Sequence, residues 1–259
     1  MEKKNIQMKF SKRTKETQIL RWHSDKNAVL DYKDEIRPMT EVVPKWYKEI
    51  KRWAELGKND IKPFDKSMGE LERWPTVKHC LPFFDGITTG YALVLTENIY
   101  VEQTPDGPVI RWQDSDKQKM PPVTSRPPYA TDPMPTPVGY AKEHFIWTKQ
   151  MAVKPPDGYS ILYTHPLNRF DLPFLTVSAV VDDYAMPGAN ISFYIKEGFE
   201  GEILAGTPVA QLIPYKRENW KSLKDKSVLV ESQHSRAPMK ELILEGWYRK
   251  NVWKKKTYQ

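Results

Sequence analysis

Between Tyr159 and Tyr215 short apolar runs alternate with turn formers, the way consecutive half-buried strands read in a sequence. Four strands are predicted there: Tyr159 to Thr164, Phe174 to Val181, Asn190 to Ile195 and Thr207 to Ile213. In the first, Ser160, Leu162 and Thr164 alternate with Tyr159, Ile161 and Tyr163. The second is β-branched and aromatic enough to sit on a packed, pleated surface. The third follows a Pro187-Gly188 turn, and the fourth is entered from Ala205-Gly206. Spacings of about 12 to 17 residues leave no room for crossover helices, so the connections are those of a meander or jelly roll. Pro208 cannot donate to a ladder and belongs at an edge or a strand start. The fold class is mainly β, an antiparallel β-sandwich or jelly roll with peripheral helices.

Upstream, strands are predicted at Val77 to Leu81, Gly90 to Leu95, Ile99 to Glu102 and Val109 to Gln113, the last two joined across Pro105-Asp106-Gly107. Thr89-Gly90-Tyr91 is echoed by Asp157-Gly158-Tyr159, a hint of two related sheets, and His144 to Val153 resumes a strand. Helical spacing of Val43, Trp46 or Tyr47, Ile50, Trp53 or Ala54 and Leu56 predicts an amphipathic helix over 41–56 with a cationic outer face. A second helix is predicted over 238–254, with Met239, Leu242, Ile243, Trp247 and Val252 on one face. Residues 120–139 carry seven prolines and suit an extended loop crossing the surface or reaching a neighbouring subunit. The expected organisation is an arm over 1–38 and one β-rich domain over 39–259.

The order of features in 157–220 resembles the trimeric dUTPase and dCTP deaminase superfamily: Gly158-Tyr159, a polar turn with Arg169, Val180-Val181-Asp182-Asp183-Tyr184, and Gly206-Thr207-Pro208-Val209-Ala210-Gln211-Leu212. The resemblance covers about a quarter of the chain. Including the PKWYK, TVKHCLPFFDGITTGY and THPLNR stretches, the sequence is also similar to an uncharacterised family of tailed bacteriophages and some bacteria. The enzyme resemblance implies that Asp182 orients an attacking water from a cleft between subunits, where burial raises its pKa, and that Tyr184 stacks under a deoxyribose. Asn168, Arg169 and Gln211 become the nucleotide-binding candidates, and Mg²⁺ the metal such hydrolysis would need. Departures from the family pattern are plain. Asp182 and Tyr184 are one residue closer than the pattern asks, the turn Pro166-Leu167-Asn168-Arg169 has no serine or glycine, and no glycine-rich arm follows Gln211. Phosphate cradles need backbone N–H groups opened by glycine or by a helix start. The fold is therefore expected to be retained and dUTP hydrolysis lost.

Composition adds a basic balance, with formal charge +7 gathered in the first 15 residues, in Lys45 to Lys58 and in the Lys254 to Lys256 end. Such runs are solvated tails or, through the termini, a nucleic-acid contact. Nine tryptophans and thirteen tyrosines exceed the needs of one small core, so some cover loops or contact other chains. Arg126 and Tyr129 in the proline run, and Trp247 and Trp253 near the end, are the candidates for partner contact. A single cysteine, Cys80, excludes an internal disulfide and reads as a buried, inert thiol. None of the five histidines stands at metal-ligand spacing, so no metal site is expected. The polar start MEKKNIQMKF and the lack of a long apolar run argue against secretion and membrane insertion.

For Asp182 and Asp183 a second role competes with catalysis, capping the turn into Met186-Pro187-Gly188 through bonds to backbone N–H groups. Three functions follow. The first is a non-enzymatic structural or interaction protein of a tailed phage, present in the host cytoplasm and then the virion, bound to other phage structural proteins and homo-oligomeric, a trimer if it follows the superfamily. The second is a nucleotide-binding protein or divergent nucleotide hydrolase, and the third a basic protein associated with nucleic acid.

Overall fold

A computed structural model describes residues 18–24, 36–55, 73–113, 121–149, 151–182, 189–234 and 246–259. The described chain begins β1 (Arg21–Ser24), β2 (Ile36–Pro38), α1 (Lys45–Glu49), β3 (Trp53–Glu55), β4 (Arg73–Pro75), a 3-10 turn (Val77–His79) and α2 (Leu81–Thr88). It continues through β5 (Tyr91–Val94), β6 (Ile99–Thr104), β7 (Gly107–Trp112), β8 (Val123–Ser125), α3 (Pro128–Thr131), β9 (Tyr140–Lys149) and β10 (Met151–Lys154). The last part holds β11 (Tyr159–Thr164), β12 (Phe174–Thr176), β13 (Ala179–Val181), β14 (Ala189–Lys196), β15 (Gly201–Ile203), β16 (Pro208–Lys216), α4 (Ser227–His234) and α5 (Trp247–Asn251).

Every described strand pairing is antiparallel. A five-stranded sheet of order β13-β11-β16-β5-β2 and a four-stranded sheet of order β12-β14-β9-β8 share one apolar core, which a three-stranded sheet β15-β6-β7 extends. Ile161, Tyr163, Leu93 and Leu212 enter it from the first sheet; Trp147, Phe193, Phe174 and Ile191 enter from the second. At its centre the Trp147 ring stacks on Phe193 at 3.6 Å between centroids, and Phe174 meets it edge-on at 5.0 Å. Thr176 ties the two sheets, accepting from Trp147 Nε1 at 3.3 Å while its hydroxyl donates to the Val209 carbonyl of β16 at 2.6 Å. Without those bonds, the Trp147 N–H and the Thr176 hydroxyl would lose their partners in an apolar interior, and the Val209 carbonyl would lose a donor.

The molecule is thus mainly β and sandwich-like, and the predicted strands of 157–220 are present with one revision. Phe174 to Val181 is not one strand: β12 lies in the four-stranded sheet and β13 in the five-stranded sheet, with Val177 and Ser178 between them. Pro208 is the first residue of β16, where its missing N–H is harmless. Gly90 and Gly158, each with positive φ, open β5 and β11, which flank β16 in a single sheet rather than two related ones.

Local periodicity misled at several points. The helix predicted over 41–56 shrinks to α1, because Thr76 Oγ1–H donates to the Lys51 carbonyl at 2.6 Å and Thr76 N–H to the Arg52 carbonyl at 3.0 Å, drawing the chain out to pair Trp53 with Pro75. The strand predicted at Val77 to Leu81 is a 3-10 turn running into α2, with Thr76 accepting from Lys78 N–H as its cap and Pro82 in the first turn of the helix. Cys80 is exposed rather than buried. The 120–139 loop contains β8, paired to β9, and α3. Of the helix predicted over 238–254, only α5 is seen, starting after Gly246 in the left-handed region; 238–245 lie outside the described residues. From the predicted 1–38 arm, β2 joins the five-stranded sheet beside β5, and β1 pairs with β10. Helix α4 was not expected at all.

Candidate functional site

Asp182 follows β13 directly, and β13 is the edge of the five-stranded sheet. Because Val181 pairs with Ile161, Asp182 comes opposite Ser160, whose hydroxyl donates to its carboxylate at 2.6 Å. Arg217 Nη1 stands 3.5 Å from the same oxygen and also donates to the Tyr159 carbonyl at 3.2 Å. The side chain of Asp182 is 65% exposed. This carboxylate therefore latches the end of β16 to β11 and β13 at the surface. Asp183, Tyr184 and the Pro187-Gly188 turn lie outside the described residues.

Arg169 and Asn168 sit in the turn after β11, near its opposite end. Asn168 takes φ 60, a left-handed conformation that asparagine tolerates. Arg169, 9% exposed, forms a two-pronged bridge with Asp171: Nε to Oδ1 and Nη2 to Oδ2, both 2.9 Å. Trp46 Nε1 of α1 also donates to Asp171, at 3.1 Å. Burial alone would raise the Asp171 carboxyl, but the bonds from Arg169 and Trp46 hold it below its ordinary value. His165 is fixed beside them, with Nε2 3.2 Å from the Arg169 carbonyl and Nδ1 accepting from Thr176 N–H at 3.3 Å. Both bonds form together only in the neutral Nε2–H ring, and burial lowers its pKa accordingly.

Gln211 lies beneath this turn on β16, fully buried. Its Oε1 accepts from Leu167 N–H at 2.8 Å, and its Nε2 donates to the carbonyls of Gly86 at 3.0 Å and Thr89 at 2.6 Å. One amide thereby joins the sheet, the turn and the end of α2. The structure brings Asn168, Arg169 and Gln211 together but leaves Asp182 at the far end of β11. The four steps along the strand from Ser160 to Thr164 separate them by about 13 Å at ~3.3 Å per residue. A cleft of ≈ 570 Å³ borders Asn168 and Arg169, walled by Thr164, Phe170, Leu175 and the proline-rich stretch at Met134 and Pro137.

Elsewhere, Arg126 extends the β8 pairing, its N–H donating to the His144 carbonyl at 2.9 Å and Nε to Ser192 Oγ at 3.3 Å. It lines a groove of ≈ 800 Å³ with Lys142, Thr131 and Trp112. Tyr129 on α3 is 83% exposed. Trp253 is held within the chain, Nε1 donating to both carboxylate oxygens of Asp85 at 3.1 and 3.0 Å, and Lys256 pairs with the same carboxylate. Tyr258 packs edge-on against Tyr91 at 5.7 Å. The chain's end is thus a strap across α2 and β5, and Trp253 makes its contact inside the molecule. Trp247 is half-buried at the start of α5.

In chemical terms the described candidates are occupied. The guanidinium that would grip a phosphate is neutralised by Asp171, and each hydrogen-bonding direction of the Gln211 amide but one is filled by backbone. Within one chain Asp182 is largely exposed and bonded to Ser160 and Arg217. Sequence reasoning missed Ser160, Asp171, Thr176 and Asp85. Only the Arg169-Phe170-Asp171 spacing offered a signal, since a short turn suits a forked bridge. Among the described residues no three His, Cys, Asp or Glu side chains are placed to hold a metal ion, and no helix is long and apolar enough to cross a membrane. Comparison of the chain with family models, with curated proteins and with solved structures found no match in any of the three.

Proposed function

We propose that this chain is a non-enzymatic structural or interaction protein of a tailed bacteriophage, made in the host cytoplasm and carried in the virion on a dUTPase-like jelly-roll scaffold. The observation that carries the reading is the use of Arg169, Gln211 and Asp182 in bonds that hold the fold. Residues that a nucleotide hydrolase would reserve for substrate are here bound to Asp171, to three backbone groups and to Ser160. Large apolar side chains left at the surface, among them Tyr129, Phe170 and Trp220, support a role in contact with other chains. The phage assignment itself rests on the sequence resemblance.

The test is quantitative mass spectrometry of purified particles of a phage encoding this chain. A fixed copy number, retained through density-gradient purification, is expected. Its absence from particles would contradict the virion role. A second reading, nucleotide binding, draws on the ≈ 570 Å³ cleft beside Asn168 and Arg169. Equilibrium binding of labelled deoxynucleotides that is lost in Arg169→Ala, with the fold intact, would favour it.

A further inference from the structure

After Arg217 N–H bonds to the Gly158 carbonyl, the chain leaves the sheet, and every residue from Tyr215 to Val230 is exposed. Trp220 is 87% exposed, Leu223 78% and Val228 61%. Three large apolar groups so close together in an exposed stretch are costly to keep in water, and their exposure marks a contact surface. Between Lys216 and Lys226 five basic side chains stand against two acidic ones. The stretch is therefore an arm of stated chemistry, apolar and cationic.

A surface of the opposite character lies on the three-stranded sheet. Ile99, Val101, Ile110 and Ile203 face the core. The cross-strand partners Glu202 and Tyr100, Tyr100 and Arg111, and Glu102 and Val109 share the outer face. Tyr100 is 40% exposed, Val109 38% and Leu204, just beyond β15, 55%. Desolvation, then the nearby carboxylates of Glu200, Glu102 and Glu202, raise the Tyr100 phenol pKa, and the Arg111 guanidinium on this face is paired with Glu102. Apolar ground inside a carboxylate rim matches apolar groups carried among lysines.

We infer that residues 218–228 form an exchange arm that docks on the outer face of β15-β6-β7 in a second copy of this chain. Trp220 and Leu223 cover Tyr100 and Val109, and Lys221 and Lys224 meet Glu202 and its neighbours. The inference rests on the reading of the chain as an interaction protein and gives that reading a partner, another copy of itself. Each copy offers one arm and one face, so reciprocal exchange closes a two-fold dimer, and one-way exchange closes a ring or grows a filament.

Sedimentation equilibrium on the full chain, over a concentration series and at two salt concentrations, tests it. Self-association that weakens with salt is expected. The double variant Trp220→Ala, Leu223→Ala should sediment as a single chain with an unchanged far-ultraviolet circular dichroism spectrum. Glu202→Lys and Lys221→Glu should each weaken association by roughly tenfold, and their combination should regain most of it. A single-chain mass at every concentration would overturn the inference and assign the arm to a different protein. So would association unaffected by the arm variant, or charge variants that fail to compensate. None of these results bears on the copy number in particles or on nucleotide hydrolysis, so failure here is distinguishable from failure of the proposed function.

Discussion

Gln211 holds three backbone groups at once from inside the sheet. Buried between two strands, its amide serves two carbonyls and one N–H that would otherwise lack partners. Gln211→Leu keeps the volume but strands those groups, at a cost of about 2–3 kcal/mol because part of each is reached by water. Gln211→Glu is expected to be worse, since a carboxylate cannot donate to the carbonyls of Gly86 and Thr89. Urea unfolding of the two variants checks the order. A parallel contrast exists between two glycines that read identically in the sequence. A Cβ on Gly90 would run into the Leu212 carbonyl, whereas one on Gly158 would meet nothing within 4 Å, and both residues have positive φ. Gly158→Ala should cost only the conformational strain, about 1–2 kcal/mol. Gly90→Ala should cost more, because β5 must move from β16. The sequence reports that each glycine opens a strand; only packing reports which has a neighbour overhead.

At the scale of elements, strands were legible where period-two alternation met turn formers, as in β11, β14, β16 and the β6-β7 hairpin around Pro105-Asp106. What hid the rest was tertiary. The break at Val177 and Ser178, which hands the chain from one sheet to the other, leaves no mark in a run of β-formers. The carbonyls of Lys51 and Arg52 were taken from a helix by Thr76, a residue 24 or 25 positions away. The spacing of Leu81, Phe84 and Ile87 was helical all along, but the short window around Cys80 read as a strand. Among candidate residues, proximity of Asn168 and Arg169 was legible as a turn; the Asp171 bridge that occupies Arg169 needed coordinates.

The elements that hold His165 and His144 carry a pH dependence. The turn after β11 is pinned by His165 as a neutral ring, its pKa lowered by burial and by the Arg169 charge against the raising effect of its bond to the Arg169 carbonyl. A base whose folded pKa lies below its unfolded value binds its proton more readily when unfolded. Its contribution is thus full above the ordinary 6.5 and is lost as pH falls through that value and on toward the folded pKa. His144, buried and beside Arg126, is lowered likewise and adds with the same sign. The urea midpoint should fall as pH is lowered from 7 toward 5, and His165→Gln should flatten that slope. At the C-terminal strap, Asp85→Ala removes the acceptor shared by Trp253 and Lys256. Limited proteolysis should then cut the end after Gly246 faster, with the sheets left protected.

Taken whole, the molecule is a two-sheet core in which three polar interior residues join layers: Thr176 between the sheets, Gln211 between sheet and helix, Arg169 with Asp171 between turn and α1. On the proposed reading, function falls to the surface, to the exposed aromatic and aliphatic side chains and to the arm after β16. The proposed non-enzymatic role stands or falls on whether Asp182, the residue that the enzyme resemblance makes catalytic, does chemistry. The measurement that decides it is pyrophosphate release from a panel of deoxynucleoside triphosphates with Mg²⁺, by the wild-type chain and by Asp182→Ala. No release above the protein-free control is predicted for either protein. Release by the wild type that disappears in Asp182→Ala would contradict the account.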